Sequence, residues 1–98
     1  MRVLDLLALL SDYTKNTAVQ LCIDGAPVNM DHFELTTVLE ERRLILIPKV
    51  GGHPHKLWEL RLLLGAPALR TAYVYLQEAD GVRPAFGFQQ RPTALVIN

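Results

Sequence analysis

The segment AVQLCIDG, residues 18–25, decides how the first half of this chain folds. Its apolar residues occupy every second position, which predicts a strand with one buried and one polar face. Asp24-Gly25 then marks a tight turn. The next segment, FELTTVLE (residues 33–40), alternates again, and LILI (residues 44–47) is apolar on both faces, as an interior strand is. These patterns predict three consecutive strands.

A leucine-rich segment precedes these strands. Residues 2–12 carry leucine or valine at helical spacing, so they predict a helix. Asp5 interrupts the apolar run, which is shorter than the ~18 residues a membrane span requires and resembles a secretion signal only superficially. With Cys22 as the only cysteine, nothing points to an oxidising compartment. We expect a soluble cytoplasmic protein that does not bind membranes.

The second half follows the same order of elements. A helix-like segment with an apolar stripe begins near Pro54, and it is followed by strand, Asp-Gly turn, strand and apolar strand. The segments are KLWELRLLL (56–64), AYVYLQE (72–78), Asp80-Gly81, AFGFQQ (85–90) and TALVIN (93–98). This order suggests half-repeats 1–50 and 54–98 joined by a Gly-Gly-His-Pro linker, within a single domain, 1–98. The alternative is the ordinary alternation of elements found in any small α+β protein.

The fold class predicted from these elements is α+β. We expect one mainly antiparallel sheet of five to six strands with two helices, arranged as helix–strand–strand–strand twice. Pseudo-two-fold symmetry would place the strands at 44–47 and 94–97 in the centre of the sheet.

The composition favours an interaction module over an enzyme. Half of the 98 residues are hydrophobic, a fifth are charged and the formal net charge is zero, so duplex DNA is a disfavoured partner. Both helices are apolar around most of their circumference, more than a helix covering one sheet face needs. Either the helices cover both faces of a six-stranded sheet, or another subunit covers the remaining apolar face. We favour self-association as a homodimer, with an unidentified protein partner as a further alternative. Trp58 and Arg61, three apart on the second helix, are residue types favoured in binding hot spots.

Two histidines suggest a metal or small-ligand site. His53 and His55 would point the same way in an extended segment and could provide two ligands. A site needs a third and usually a fourth ligand, and no conventional spacing provides them. A linker is the competing interpretation, and we predict no cofactor.

Aromatic residues suggest a third hypothesis. AYVYL and AFGFQ look like the two short motifs of RNA recognition motif domains, but their close spacing excludes that family. If the two segments pair, Tyr73 and Tyr75 meet Phe86 and Phe88, either as packing or as a stacking surface for single-stranded nucleic acid. Cys22 and His32 do not form a recognisable catalytic arrangement, so we predict no enzymatic activity.

Overall fold

The computed structural model describes all residues from 1 to 98. Two short α-helices, one turn of 3₁₀-helix (Pro67–Leu69) and eight strands make up the chain. In chain order the helices and strands are α1 (Val3–Leu9), β1 (Ala18–Ile23), β2 (Ala26–Val38), β3 (Glu41–Lys49), β4 (His55–Lys56), α2 (Leu57–Leu64), β5 (Tyr73–Glu78), β6 (Gly81–Pro84), β7 (Phe88–Gln90) and β8 (Leu95–Ile97).

All eight strands belong to one mixed sheet. Its strand order is β6-β5-β3-β2-β1-β8-β7, and β4 pairs with β1 beside this path. The pairs β3–β5 and β1–β8 are parallel, and the remaining pairs are antiparallel. The chain is α+β as predicted. The prediction of one mainly antiparallel sheet of five to six strands is wrong, because the sheet is mixed and has eight strands. Parallel pairs join segments that are far apart in sequence, so a local sequence pattern cannot predict them.

The sheet curls because one segment changes partner along its length. Residues 81–84 pair with β5, whereas residues 88–90 pair with β8. Between them, the Ala85 amide donates to the Val74 carbonyl at 2.9 Å and the Gly87 amide to the Asn98 carbonyl at 3.1 Å. AFGFQQ is therefore not the return strand of the second Asp-Gly hairpin. Nor do β3 and β8 meet at the sheet centre, since β2 and β1 separate them.

The two halves of the chain make equivalent pairings. Arg2, just before α1, bridges to Tyr73 at the start of β5, and Lys56, just before α2, pairs with Ala18 at the start of β1. The last strand of each half pairs in parallel with a strand of the other half: β3 with β5, and β8 with β1. Each half thus completes the sheet of the other.

The two helices begin in the same way. The backbone amide of Arg2 donates to the Asp5 carboxylate at 3.0 Å, and that of Lys56 donates to the Glu59 carboxylate at 3.1 Å. A carboxylate at the third helical position thus satisfies an amide that precedes each helix. Both helices are shorter than predicted, and Pro54 lies before β4 rather than in the first turn of α2.

The core lies between the helices and the inner face of the curled sheet. Leu44 and Leu46 of β3 and Val74 and Leu76 of β5 are inaccessible to solvent, as an interior position in the sheet requires. Two side chains of α1, the Leu10 side chain directly after it and three side chains of α2 belong to the same cluster of 18 buried residues: Val3, Leu6, Leu10, Leu57, Leu60 and Leu64.

Neither helix is long and apolar enough to cross a membrane.

Candidate interaction surfaces

The outer face of α2 is apolar although it faces solvent. Leu62 is 75% exposed and Trp58, one turn earlier, is 43% exposed; Leu63 beside them is also exposed. A shallow groove of about 220 Å³ lies along this face, lined by His55, Trp58, Glu59, Leu62 and Leu63. Surface helices normally carry polar residues on this side. We call these five residues the α2 face.

The corresponding surface of α1 is less apolar. Leu4 and Leu9 are exposed at the positions equivalent to Trp58 and Leu63, but Ala8 stands where α2 has Leu62. The excess apolar surface expected from the sequence therefore exists on both helices, and it is largest on α2.

Arg61 does not belong to the α2 face. Its guanidinium donates to the Leu10 carbonyl at 3.3 Å, so it joins α2 to the end of α1. This carbonyl lies at a helix end, where it has no partner within the helix. Trp58 and Arg61 thus lie on different surfaces, and a role for either in binding stays a prediction.

The two histidines are placed differently. His53 is exposed, whereas His55 is half-buried and pairs with Val19 in the β4–β1 ladder. The His55 Nδ1 lies 3.6 Å from a Glu59 carboxylate oxygen, and its Nε2 is buried without a hydrogen-bond partner. The Glu59 pKa is lowered, first by the Lys56 amide and then by His55. No group of three or more His, Cys, Asp or Glu side chains is arranged to hold a metal ion.

The segment around the histidines is fixed to the sheet by Asn29. Its buried side-chain amide donates to the carbonyls of Gly51 and Gly52 at 3.0 and 3.2 Å. Both glycines have φ near +70°, at 72° and 73°, which is a strained conformation for other residues. The side-chain oxygen of Asn29, Oδ1, in turn accepts a hydrogen bond from the side-chain amide of Gln20 at 2.9 Å.

Tyr73 and Tyr75 share the outer face of β5. Each ring lies beside an arginine: the Arg2 guanidinium is 5.4 Å from the Tyr73 ring centre and that of Arg43 is 4.5 Å from the Tyr75 ring centre. These are cation–π distances. The Tyr75 hydroxyl also donates to Glu41 at 2.8 Å. Both rings thus already have neighbours within the chain.

Phe86 and Phe88 lie elsewhere, so the predicted cross-strand pairing with the tyrosines is wrong. Tyr75 pairs with Pro84, and Phe88 pairs with Ile97 of β8. The Phe88 ring meets Tyr13 edge to face with ring centres 5.4 Å apart, while Phe86 is exposed. The four aromatic residues do not form one stacking surface. The predicted face of Tyr73, Tyr75, Phe86 and Phe88 is therefore not formed as a whole, and single-stranded nucleic-acid binding stays a prediction.

The sequence analysis predicted strands at 33–40 and 44–47 but not the full length of the hairpin that β2 and β3 form, which begins at Ala26. Every residue from 34 to 40 is exposed, and the hairpin extends beyond the core. Its two-residue turn, Leu39-Glu40, has positive φ at both positions, 50° and 68°, where Asn-Gly is the usual pair. Because neither turn residue is a turn former, the only local signal was the alternation of FELTTV.

Comparison with known proteins finds no match among family models, curated proteins or solved structures.

Proposed function

We propose that this protein is a small, cytoplasmic, non-enzymatic interaction module that forms a homodimer through the α2 face. The observation that carries the proposal is the exposure of Leu62 and Trp58 one helical turn apart beside an apolar groove. Contiguous apolar surface of this kind marks interaction sites in soluble proteins. A single cysteine, Cys22, cannot form an intramolecular disulfide, so the chain has no feature that requires an oxidising compartment.

A second copy is the occupant that fits this face. A two-fold interface must be complementary to itself, and the α2 face carries both a projecting side chain, Leu62, and a groove beside it. A two-fold axis near Leu62 would place this side chain of each copy in the groove of the other. The formal net charge of zero removes any long-range repulsion between copies.

The interface is small, so the dimer should be reversible. Three apolar side chains on one short helix bury less than the ~1,200 Å² of a standard interface, which places the contact in the weak class. Glu59, the carboxylate of the α2 face, would remain partly in solvent and contribute little.

The test is sedimentation of the Leu62→Lys variant over a range of concentrations. We expect dimer affinity to fall at least about tenfold, or ~1.4 kcal/mol, because the ammonium group cannot enter the apolar groove. The matched control is Leu4→Lys, an exposed helix position equivalent to Trp58 but outside the α2 face. It should leave the dimer unchanged.

Three results contradict the proposal: a wild-type monomer at every concentration, equal loss of dimer in both variants, or unfolding of Leu62→Lys with unchanged association. The last would show that Leu62 serves the core. At 75% exposure its substitution should change the free energy of unfolding by less than ~0.5 kcal/mol.

A further inference from the structure

One edge of β2 has no partner in the sheet. The pairing of β2 with β1 ends at Val28, while its pairing with β3 continues to Val38. None of the backbone hydrogen bonds made outside regular elements involves residues 30–38. Beyond Val28, therefore, β2 is bonded on one side only, and its second edge faces solvent.

The alternation of an antiparallel ladder shows which groups are open. Because the turn has two residues, Val38 and Glu41 form two backbone hydrogen bonds with each other. Going back along β2 from Val38, every second residue also forms backbone hydrogen bonds to β3. The N–H and C=O groups of Phe33, Leu35 and Thr37 consequently point away from β3. They form a row of three donors and three acceptors with the spacing of a strand.

Natural proteins usually protect such an edge. The common devices are proline, lysine, a bulge or a covering segment. β2 has an irregular register between Met30 and His32, but residues 33–38, FELTTV, contain neither proline nor lysine. These six residues are rich in types that favour strands. The edge is therefore long, regular and open.

The side chains along this edge differ between its two sides. Phe33, Leu35 and Thr37 share the side on which Leu44 and Leu46 lie, and Glu34 and Thr36 face the other side. Asp31, His32 and Glu34 stand together, with the imidazole 2.7 Å from the Asp31 carboxylate and 3.4 Å from that of Glu34. Even with this histidine protonated, the trio carries net negative charge.

We propose that the open edge of β2 binds an extended peptide in which apolar and basic residues alternate. The peptide adds a strand to the sheet through the backbone groups of Phe33, Leu35 and Thr37. Its apolar side chains lie opposite these residues, and its basic side chains face Glu34 and Asp31. This site is separate from the α2 face and does not depend on dimerisation.

A second copy fits this edge less well than a basic peptide. In a symmetrical antiparallel pairing of two β2 strands around Leu35, Glu34 of each copy lies opposite Thr36 of the other and diagonal to its Glu34, on the same side of the joined sheet. This pairing sets two carboxylates within reach of each other and provides no partner for either, whereas a lysine directly opposite Glu34 is favourable. Charge complementarity therefore selects the peptide.

The experiment is fluorescence anisotropy with a labelled peptide of alternating valine and lysine, about eight residues long to match the open edge. A second peptide of the same sequence carries N-methyl groups on alternate backbone nitrogens facing the protein. Strand addition predicts that N-methylation weakens binding at least about tenfold, because the side chains and charge are kept and only donors are lost. Equal binding of the two peptides, or no binding of either, overturns the proposal.

The matched protein variants are Thr37→Pro and Thr37→Val. Proline removes one outward N–H at a position that makes no bond to β3, so the hairpin is kept and peptide affinity should fall about tenfold. Valine keeps the N–H and should bind as the wild type does. If Thr37→Pro unfolds, the methylated peptide still tests the proposal on the unaltered protein. A Thr37→Pro variant that loses dimer in sedimentation would show that β2 edges pair with each other instead.

Discussion

The Tyr75 hydroxyl and the Arg43 guanidinium share one oxygen of Glu41: each donates a hydrogen bond of 2.8 Å to its Oε1. Arg43 also lies over the Tyr75 ring. The three side chains thus join β5 to the beginning of β3 on the outer side of the sheet. This arrangement holds Tyr75 against β3 and places its ring beside a cation instead of leaving it open to a planar ligand.

This arrangement predicts two opposite pKa shifts. The hydrogen bond to Glu41, together with burial, raises the pKa of Tyr75, and the bonds from Tyr75 and then Arg43 lower the pKa of Glu41. Replacing Glu41→Gln should therefore bring the Tyr75 pKa back towards that of a free tyrosine. Nuclear magnetic resonance of the tyrosine ring carbons across alkaline pH measures it.

The same shifts fix the sign of the pH dependence of stability. Because the folded pKa of Glu41 is lowered, its contribution is present above the unfolded carboxyl pKa and is lost as the pH falls through the folded value. The raised pKa of Tyr75 gives a contribution present below the unfolded phenol pKa and lost as the pH rises through the folded one. Urea unfolding should show the gap between wild type and Glu41→Gln closing in acid. A constant gap would contradict the hydrogen bond.

Local patterns in the sequence predicted the first strand and its turn. Alternation over residues 18–25 and the Asp24-Gly25 turn correspond to β1 and the turn after it, and the apolar run at 44–47 is an interior strand, but β2 begins at Ala26, before the predicted strand at 33–40. These features depend on neighbours in sequence. The start of α2 was misplaced because β4 has only two residues, too few for any periodicity to be visible.

Features that depend on distant residues were not predictable. The β3–β5 and β1–β8 pairs join strands from different halves of the chain, so no turn residues between the paired strands predict the pairing. The AFGFQQ segment changes partners at residues 85–87, which a pattern of alternation cannot distinguish from an ordinary return strand. The open edge of β2 was missed for the same reason, since it exists only because β1 ends its pairing at Val28.

His55 provides a test of the metal hypothesis through stability. Its Nε2 is buried without a partner, and the equivalent position in the first half is Met1, which packs against the core. We expect His55→Met to raise the free energy of unfolding by about 1 kcal/mol, because it removes an unsatisfied polar atom from an apolar site. The control is His53→Met, at an exposed position, which should leave stability unchanged.

Zinc distinguishes this structural role from metal binding. If His53 and His55 are ligands, zinc stabilises the wild type by mass action, and both methionine variants lose that effect. With only Glu59 as a neighbouring donor, we expect zinc to leave the melting temperature of all three proteins unchanged. A zinc-dependent rise confined to the wild type would make the histidine pair a site and would reverse this conclusion.

The exchange of strands between the halves predicts how the chain folds when it is divided. Fragment 1–50 lacks β5 and β8, which pair with its β3 and β1, and fragment 54–98 has the reciprocal deficit. Each fragment alone should therefore be largely unfolded, because its inner strands expose unpaired edges and apolar faces. An equimolar mixture should regain the circular dichroism and cooperative unfolding of the intact chain, at a midpoint that depends on concentration. A fragment that folds alone as a monomer would show that the halves are independent domains. A fragment that folds only as its own homodimer would show that one half can replace the other, as expected of a duplicated unit.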